Sequence, residues 1–519
     1  MVAKTTYFSE DPYAAAPDRE YLGGKTCFNC FSCKNIKLRC SICKQSFYCS
    51  HECHQEDWKS GPHSEECKVF TKLTPEELNE MKYDGSWSIQ TDVRMMGRIL
   101  AKKLKDGGVS TSYSGYPKGF NVRKLDDLMS HIDEIEEEEN VLPKWRLFQK
   151  TYMVHNPIYA ATKYEDFKKY IGIIRTNAFG IHNSHVYRED SVIGKGLYLQ
   201  SSRWNHTCAI PDLNTYNINK TIVMTPSNPK LKITAKNLNS LCIDYGCPGL
   251  ISYISDRKKS LKDDFFFTCE CPDCIDSTGN KLKKRSVQLD CKKCKEPVIL
   301  RKSRSQHCGT VYCGRCDLTI SSVPYNQYKK YRKMLADLEE APNTVETLSA
   351  IWNYLEEADR LPIKLHDIRN VPLIDMRSEY VTIFSRQYKT DGKTKVDEVD
   401  LTRHLLLVNK LLNSFSYYTT YGVWPAVICA RTGKILQNLG RTAEALEYYT
   451  RARNHWIFIT CPDYPIVKEL NKIIRAVTAE SPTPTAESPT PTTAIPADMD
   501  AKKVELIQPA NLCKVSVGV

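Results

Sequence analysis

The sequence lacks any run of 18 or more apolar residues, which is the length that a bilayer-spanning helix needs. Its first residues, Met-Val-Ala-Lys-Thr-Thr-Tyr-Phe, also lack the apolar core of a secretory signal. These two absences argue against a membrane-spanning or secreted protein. We therefore expect an intracellular protein with no membrane partner.

Cysteine is scarce in the last two-fifths of the chain, where only Cys429, Cys461 and Cys513 occur. The rest of the 22 cysteines lie at or before Cys316, mostly in C-x2-C, C-x3-C or C-x-C pairs. In a reducing compartment this spacing indicates tetrahedral zinc sites, because disulfides are rare there. The length of 519 residues favours two to four domains.

No strong charge imbalance accompanies these motifs. The net charge of +12 permits acidic partners but does not require nucleic acid. Residues 281–304 hold ten Lys or Arg against two acids, and a solvated face is the ordinary interpretation of such a segment.

Residues 27–67 contain four metal-ligand pairs: Cys27-x2-Cys30, Cys40-x2-Cys43, Cys49-x3-Cys53 and His63-x3-Cys67. Eight ligands can close two four-coordinate zinc sites, whereas eight unrelated buried thiols are the weaker alternative. So short a segment needs the metal to fold, at about 10 kcal/mol per structural zinc. Cys33, His51 and His54 are spare candidates. We prefer His63 because its i, i+4 spacing to Cys67 places both side chains on one helical face.

Residues 68–180 are predicted to be mainly helical. One helix begins with Thr74 as its cap and Pro75 at its first position. Met95, Ile99 and Leu100 share the face of another, and a further helix is predicted over 123–140. Residues 181–246 change to short β-prone runs separated by Gly, Pro and Asn turns, which predict a small irregular β domain.

The segment Asn205-His206-Thr207-Cys208 lies inside that β domain. Downstream, Cys269-x-Cys271-x2-Cys274 supplies three thiols, one short of a structural zinc site. Cys208 is the natural fourth ligand. The sequence therefore predicts a third zinc that ties the two segments together.

Two more pairs, Cys291-x2-Cys294 and Cys313-x2-Cys316, flank the stretch 295–312. This spacing is typical of a zinc ribbon over 288–318 and predicts a fourth zinc, with free thiols as the alternative. Residues 320–476 are predicted to be helical, and the pair of segments at 430–441 and 443–449 resembles a tetratricopeptide repeat. Residues 477–519 contain a tandem Thr-Ala-Glu-Ser-Pro-Thr-Pro repeat and are predicted to be a disordered tail.

Residues 27–67 resemble the MYND zinc finger, including Tyr48 before Cys49 and Trp58 ahead of His63. The resemblance implies cross-brace wiring, with the following ligand sets: Cys27, Cys30, Cys49 and Cys53 on one zinc; Cys40, Cys43, His63 and Cys67 on the other. It also implies a proline-containing peptide as a partner class for the finger.

The order of the motifs resembles the SMYD family of SET- and MYND-domain protein-lysine methyltransferases. The resemblance implies an α+β multidomain fold in which the finger and a helical insert split an irregular β SET core. The implied divisions are a SET remnant (1–26), MYND finger (27–67), helical insert (68–180), SET core (181–246), post-SET zinc site (247–276), zinc-ribbon-like segment (288–318), helical lobe (320–476) and tail (477–519). The implied substrate is a lysine on a histone or another protein, and the implied location is the nucleus and cytoplasm, with a role as a chromatin regulator.

The resemblance also implies roles for individual residues. S-adenosyl-L-methionine is the implied cofactor, and Tyr245 is the implied catalytic tyrosine beside the methyl-transfer path. The residues implied to bind the cofactor or wall the site are His131, Asn177, Ser202, Asn205, His206, Phe265 and Phe267. The third zinc is implied to be held by Cys208, Cys269, Cys271 and Cys274.

One family feature is expected to be missing. SET domains begin with a G-x-G loop that supports the cofactor, and Phe8-Ser9-Glu10-Asp11-Pro12 already resembles the strand after it. Gly194-Lys195-Gly196 matches a second, internal motif of the family and does not replace that loop. The alternative function is therefore a non-catalytic adaptor that binds protein partners in transcriptional regulation.

Overall fold

The structure, a computed structural model, describes residues 8–18, 24–59, 61–80, 88–109, 112–136, 141–184, 192–208, 210–228, 230–246, 254–271, 274, 289–290, 297–302, 309–313, 318–320, 337, 345–360, 371–388, 396–417 and 423–480. Most of the basic segment 281–304 and the tail beyond residue 480 lie outside these ranges.

Short strands form five small sheets among the described residues. The strands are β1 (Phe8–Glu10), β2 (Ala14–Pro17), β3 (Leu38–Arg39), β4 (Phe47–Tyr48), β5 (Tyr113–Ser114), β6 (Ala178–His182), β7 (Val192–Leu197), β8 (Asn205–His206), β9 (Leu213–Ile218), β10 (Thr221–Pro226), β11 (Cys242–Ile243), β12 (Leu289–Asp290), β13 (Pro297–Lys302), β14 (Gly309–Cys313) and β15 (Leu318–Ile320).

Helices flank and follow these sheets. They are α1 (His51–Lys59), α2 (His63–Phe70), α3 (Pro75–Glu80), α4 (Ser88–Asp106), α5 (Leu142–Phe148), α6 (Pro157–Ala160), α7 (Tyr164–Asn177), α8 (Ile254–Phe265), α9 (Val345–Arg360), α10 (Val371–Gln387), α11 (Glu398–Tyr417), α12 (Val423–Asn438), α13 (Thr442–Ile459) and α14 (Pro465–Glu480). A π-helix covers Gln149–Met153, and 3-10 turns cover Leu125–Asp127, Ser201–Arg203 and Leu238–Ser240. The predicted α+β multidomain fold is confirmed.

Local signals explain two helix ends. The Thr74 hydroxyl accepts the Glu77 N–H at 3.2 Å, and the Glu77 carboxylate accepts the Thr74 N–H at 2.9 Å. This reciprocal capping box starts α3 with Pro75 as its first residue, as predicted. Helix α4 ends at Asp106 because Gly107 and Gly108 both adopt positive φ, a conformation that glycine tolerates.

The β core consists of two antiparallel sheets and one parallel pair. Strands β5, β1, β10 and β9 form one sheet in that order, with Phe8 opposite Met224. Strands β2, β7 and β6 form the other, with Ala14 opposite Leu197. Strand β8 pairs in parallel with β11, although the whole of β9 and β10 lies between them in the chain. The first strands of the chain therefore complete sheets whose other members come from residues 113–226.

The zinc finger is fixed to this core through the turn between β9 and β10. The Lys220 N–H donates to the carbonyl of Cys30 at 3.0 Å, and the Lys220 ammonium donates to Asn29 at 3.2 Å. The carbonyl of Lys220 accepts the hydroxyl of Tyr198, which is buried in the core. One zinc-binding loop is thereby hydrogen-bonded to the β core.

A buried ionic network joins the finger to helix α4. The Glu66 carboxylate accepts from the Arg94 guanidinium at 2.6 and 2.9 Å and from Arg98 at 2.8 Å. Arg98 also donates to the carbonyl of Ala15 on β2 at 3.2 Å and approaches Asp57 at 3.4 Å. All of these charged side chains are buried, so each charge depends on its partners.

The helix predicted over 123–140 is wrong for the described residues 123–136. They form one 3-10 turn at Leu125–Asp127 and further turns, with Leu125, Leu128 and Ile135 buried. The segment runs against α7, where a Cβ on Gly172 would lie 1.9 Å from the carbonyl oxygen of Ser130. This close packing overrides the local helical pattern.

The C-terminal lobe is helical. Helices α12 and α13 form the predicted antiparallel pair, and Gly440 turns the chain between them with φ of 74°. A Cβ on Gly433 would lie 3.0 Å from the ring of Tyr449, so the small residue permits close packing. The lobe contacts the β core, because Tyr464 packs edge-on against Tyr216 of β9 at 5.3 Å. Among the described residues, no helix combines the length and apolarity needed to cross a bilayer.

We expect Glu66→Ala to lower the free energy of unfolding by about 3–5 kcal/mol, because it leaves the buried Arg94 guanidinium without a carboxylate and Arg98 with Asp57 alone. Urea unfolding of the zinc-loaded protein measures this change. The matched control is Glu80→Ala, since Glu80 pairs with Lys150 at a half-exposed site. It should cost less than about 1 kcal/mol. Equal losses in the two variants would contradict the assigned role of the network.

Candidate functional site

The parallel pairing of β8 with β11 brings two distant segments side by side. Asn205 lies opposite Cys242 and His206 opposite Ile243, and the Thr207 N–H then donates to the Ile243 carbonyl at 3.0 Å. The chain leaves β11 directly into Tyr245. The pairing therefore places the predicted catalytic tyrosine next to the predicted cofactor segment.

His206 connects this tyrosine to the third thiol cluster. Its Nδ1 accepts the backbone N–H of Tyr245 at 3.2 Å, and its Nε2 lies 3.1 Å from the sulfur of Cys208. Burial lowers the pKa of His206 to about 4, so the ring is neutral at pH 7. Because Nδ1 accepts, the proton sits on Nε2 and points at the sulfur of Cys208. Both ring nitrogens are thus engaged by these two partners. A cofactor would therefore contact His206 only through its backbone.

Four thiols form a cluster beside the His206 ring. The sulfur atoms of Cys208, Cys269, Cys271 and Cys274 all lie within 4.8 Å of one another and are buried. The Arg257 guanidinium lies 3.9 Å from the Cys274 sulfur. With a Zn²⁺ bound, four thiolates would carry a net charge of −2, which the buried Arg257 guanidinium and the His206 N–H would stabilise. The donor set fits zinc, with Cys208 as the predicted fourth ligand.

Tyr245 lies in an aromatic corner. Its hydroxyl donates to the carbonyl of Trp204 at 2.8 Å. Its ring centroid lies 4.8 Å from that of Phe265, 6.3 Å from Phe267 and 5.3 Å from His206. Phe265 and Phe267 lead into Cys269, so the zinc cluster anchors the segment that forms this wall.

Asn177 and Ser202 meet at the other side of the segment. The Ser202 hydroxyl donates to the carbonyl of Asn177 at 3.1 Å. The Asn177 amide donates to the carbonyls of Met129 at 2.8 Å and Ile173 at 3.0 Å. These side chains hold the end of α7, the 129–131 loop and the turn before β8 together. Asn205 is exposed at the start of β8.

His131 lies on the 129–131 loop, which packs closely against Gly172. Its backbone is in the left-handed conformation, with φ of 48°. Its ring centroid lies 5.3 Å from that of Phe266, and the Arg175 guanidinium lies 4.9 Å from the same ring. Sequence reasoning missed both Phe266 and Arg175. The run Phe265-Phe266-Phe267 contained the signal, but the positive φ of Phe266 separates the middle ring from the outer two.

The finger brings together its two predicted ligand sets in cross-brace order. Cys27, Cys30, Cys49 and Cys53 form one cluster, and Cys40, Cys43, His63 and Cys67 form the other. The second is wholly buried, and His63 Nδ1 lies 3.3 Å from the Ser46 hydroxyl and 3.5 Å from Glu66. Each set offers four ligand atoms within 4.8 Å, which fits a structural zinc.

The remaining predicted ligands do not join these clusters in the described part of the chain. Cys33 approaches the Thr26 hydroxyl at 3.7 Å instead. His51 and His54 lie on α1 outside the ligand sets. Cys313 ends β14, whereas Cys291, Cys294 and Cys316 lie outside the described residues. The fourth zinc stays a prediction.

Comparison with known proteins agrees with this arrangement. The MYND finger family matches residues 27–67. Histone-lysine N-methyltransferase ASHR1 of Arabidopsis thaliana is 24% identical over 494 residues, which are 91% of this chain and 90% of that protein. N-lysine methyltransferase SMYD2-A of Danio rerio is 21% identical over 462 residues, covering 86% and 88%.

The chain is similar to the SMYD family of protein-lysine methyltransferases, in its MYND finger and over most of its length. A further relative, N-lysine methyltransferase SMYD2 of Mus musculus, is 25% identical over 268 residues. That match covers 50% of this chain and 53% of the relative, so the chain spans about half the length of mouse SMYD2 in that alignment. The three clusters of metal ligands and the β8–β11 pairing are the parts of the site that the structure assembles.

We expect Cys274→Ser to lower the zinc content by about one ion per chain, because a structural site needs four strong ligands. Mass spectrometry of metals in the purified protein measures this. Cys33→Ser is the matched control, since Cys33 lies in the finger but outside the ligand sets. It should retain the full zinc content. Loss of zinc in the control, or none in Cys274→Ser, would contradict the ligand assignment.

Proposed function

We propose that the protein is an S-adenosylmethionine-dependent protein-lysine N-methyltransferase that acts on histones or other proteins. The observation that carries the proposal is the β8–β11 pairing, which sets Tyr245 against Trp204 and His206, the residues on either side of Asn205, and within an aromatic corner. Relatives that align over most of the chain are named lysine methyltransferases, which supports the same reaction class.

The residues around β8 fit a zwitterionic cofactor with a purine. The exposed Asn205 carboxamide offers a polar contact for its amino acid part. The partly exposed rings of His131 and Phe266 offer an aromatic surface for a base. When bound, the cofactor supplies a methyl group on a positively charged sulfur, which is ready for in-line displacement.

Tyr245 supplies orientation at the reacting centre. Because its hydroxyl proton is donated to the Trp204 carbonyl, the oxygen lone pairs are directed away from that bond. A fixed oxygen dipole stabilises a polarised methyl group and selects the geometry of attack. The hydrogen bond removes the need to order the hydroxyl during the reaction.

The aromatic corner also prepares the substrate amine. Phe265, Phe267 and the ring of Tyr245 form an apolar wall. An apolar environment disfavours an ammonium and lowers the pKa of a lysine, which delivers the neutral nucleophile. The zinc ions have a structural role in this proposal, because protein ligands complete each described cluster.

We also propose that the protein acts in the nucleus and cytoplasm as a chromatin regulator. The MYND finger supports a protein-binding role, for which a proline-containing peptide is the partner class we propose. A non-catalytic adaptor is the competing function. Cofactor binding distinguishes the two, since an adaptor does not require it.

We expect Tyr245→Phe to reduce methyl transfer to a histone or lysate substrate by about 10²–10³-fold, because it removes the oriented oxygen. Transfer of a radiolabelled methyl group measures the rate, and cofactor affinity should change little. Tyr113→Phe, which alters an exposed tyrosine on β5, is the matched control and should keep full activity. Undiminished transfer by Tyr245→Phe would overturn the role given to Tyr245.

We expect the protein to bind S-adenosylmethionine in calorimetry and Asn205→Ala to weaken that binding by about tenfold, equivalent to about 1.4 kcal/mol. Asn438→Ala, an exposed asparagine at the end of α12, is the control and should bind normally. Absence of binding at millimolar cofactor would reject the enzyme and favour the adaptor.

A further inference from the structure

Glu10 is a buried carboxylate that the proposed reaction does not use. It ends β1 and is 1% exposed. One oxygen accepts the N–H of Gln200 at 2.9 Å. The other accepts both the N–H and the hydroxyl of Ser201, each at 2.8 Å. A single carboxylate therefore satisfies three donors at the start of the 3-10 turn Ser201–Arg203.

That turn leads directly into the cofactor segment. Its second residue, Ser202, bonds the Asn177 carbonyl, and the next residue after the turn, Trp204, accepts the Tyr245 hydroxyl. Asn205 follows. The backbone of the turn is thus held on one side by Glu10 and carries cofactor and tyrosine contacts on the other. A shift at Gln200 or Ser201 is transmitted to these groups through the few covalently linked residues between them.

We propose that Glu10 is a positioning residue that orders the cofactor-binding turn in its ionised form, so that cofactor affinity increases as Glu10 loses its proton. This inference rests on the proposed methyltransferase function. It assigns to a strand at the start of the chain a role in a site built mainly from residues 177–267.

The chemistry of the carboxyl group explains the dependence on its charge. An ionised carboxylate has only acceptor sites and can receive all three donors. The protonated acid carries an O–H of its own, which must face one of those donors or leave the arrangement. On protonation, the Ser201 hydroxyl must reverse to accept that O–H or lose its bond to Glu10, and the N–H bonds weaken, because bonds to an ionised acceptor are the stronger kind.

The environment of Glu10 places the change in its protonation near neutral pH. Burial raises the pKa of Glu10 to about 7, and the bonds from Gln200 and Ser201 together with the charge of Arg203 oppose that increase. Other groups that interact electrostatically with Glu10 are Lys102 of α4 and the hydroxyls of Tyr116 and Tyr198. With a pKa of about 7, the ionised fraction is about 10% at pH 6 and about 90% at pH 8. Affinity should scale with that fraction.

As pH rises, the contribution of Glu10 to the free energy of unfolding should change in the direction opposite to the cofactor affinity. The pKa of Glu10 is higher in the folded protein than its ordinary value of 4.5, so the folded state holds the proton more tightly. The contribution of Glu10 to stability therefore falls as pH rises from about 4.5 to about 7 and is constant above that range. A merely structural carboxylate would show this trend without any matching change in cofactor affinity.

The test compares S-adenosylhomocysteine binding by calorimetry at pH 6 and pH 8 in the zinc-loaded full chain. For the unaltered protein, we expect the ratio of Kd at pH 6 to Kd at pH 8 to exceed that of Glu10→Gln by about tenfold. Ionisation of the ligand affects both proteins equally and cancels in this comparison. Asp11→Asn removes the neighbouring carboxylate, which contacts Thr221 and Ser112 instead, and should keep the full pH dependence.

An equal ratio in Glu10→Gln and the unaltered protein would overturn the inference while leaving the proposed cofactor intact. Absence of binding by the unaltered protein at pH 8 would overturn both. If Glu10→Gln does not fold, Ser201→Ala serves instead. It removes one donor to the ionised carboxylate, so the midpoint of the affinity–pH curve should move to higher pH. An unchanged midpoint would also overturn the inference.

Discussion

The neutral imidazole of His206 is the contact on which the candidate site depends. One ring nitrogen accepts the backbone N–H of Tyr245, and the other faces the sulfur of Cys208. Only an uncharged ring with one acceptor and one donor can serve both partners, and burial keeps it uncharged. The zinc cluster thereby orients the tyrosine and, through Phe265 and Phe267, the aromatic wall beside it. In this region, the geometry of the candidate site therefore depends on the geometry of the metal-ligand cluster.

Contacts between distant segments also fix the zinc finger on the β core. Its loops bond the β9–β10 turn through Lys220, and its second zinc-ligand helix carries Glu66 into the arginine pair of α4. Arg98 continues that path to the carbonyl of Ala15. These contacts are polar, and those of Glu66 and Arg98 are buried, so they specify one orientation of the finger on the core. Strands β2 and β6 both pair with β7, although the finger and the helical insert lie between them in the chain.

Several features could be predicted from sequence because they rest on local spacing. The spacing to Cys67 favours His63 over His51 and His54, and counting an incomplete ligand set points to Cys208; both lie in the clusters. The helix over 123–140 was wrong, since its local pattern gave no indication of the close contact at Gly172. Glu10 and Phe266 were missed because their partners, Gln200 and His131, are remote from them in the chain.

By itself, the sequence determined the three clusters of four metal ligands and most of the helices and strands, because ligand spacing, capping and periodicity act over a few residues. Only the tertiary structure decided what Asn205, His206, Thr207 and Cys208 do. The parallel crossing with β11 turned the His206 ring toward Tyr245 and zinc, and left the Asn205 side chain exposed at the site. The roles of these four residues depend on hydrogen bonds and packing between segments far apart in the chain, which no local pattern encodes.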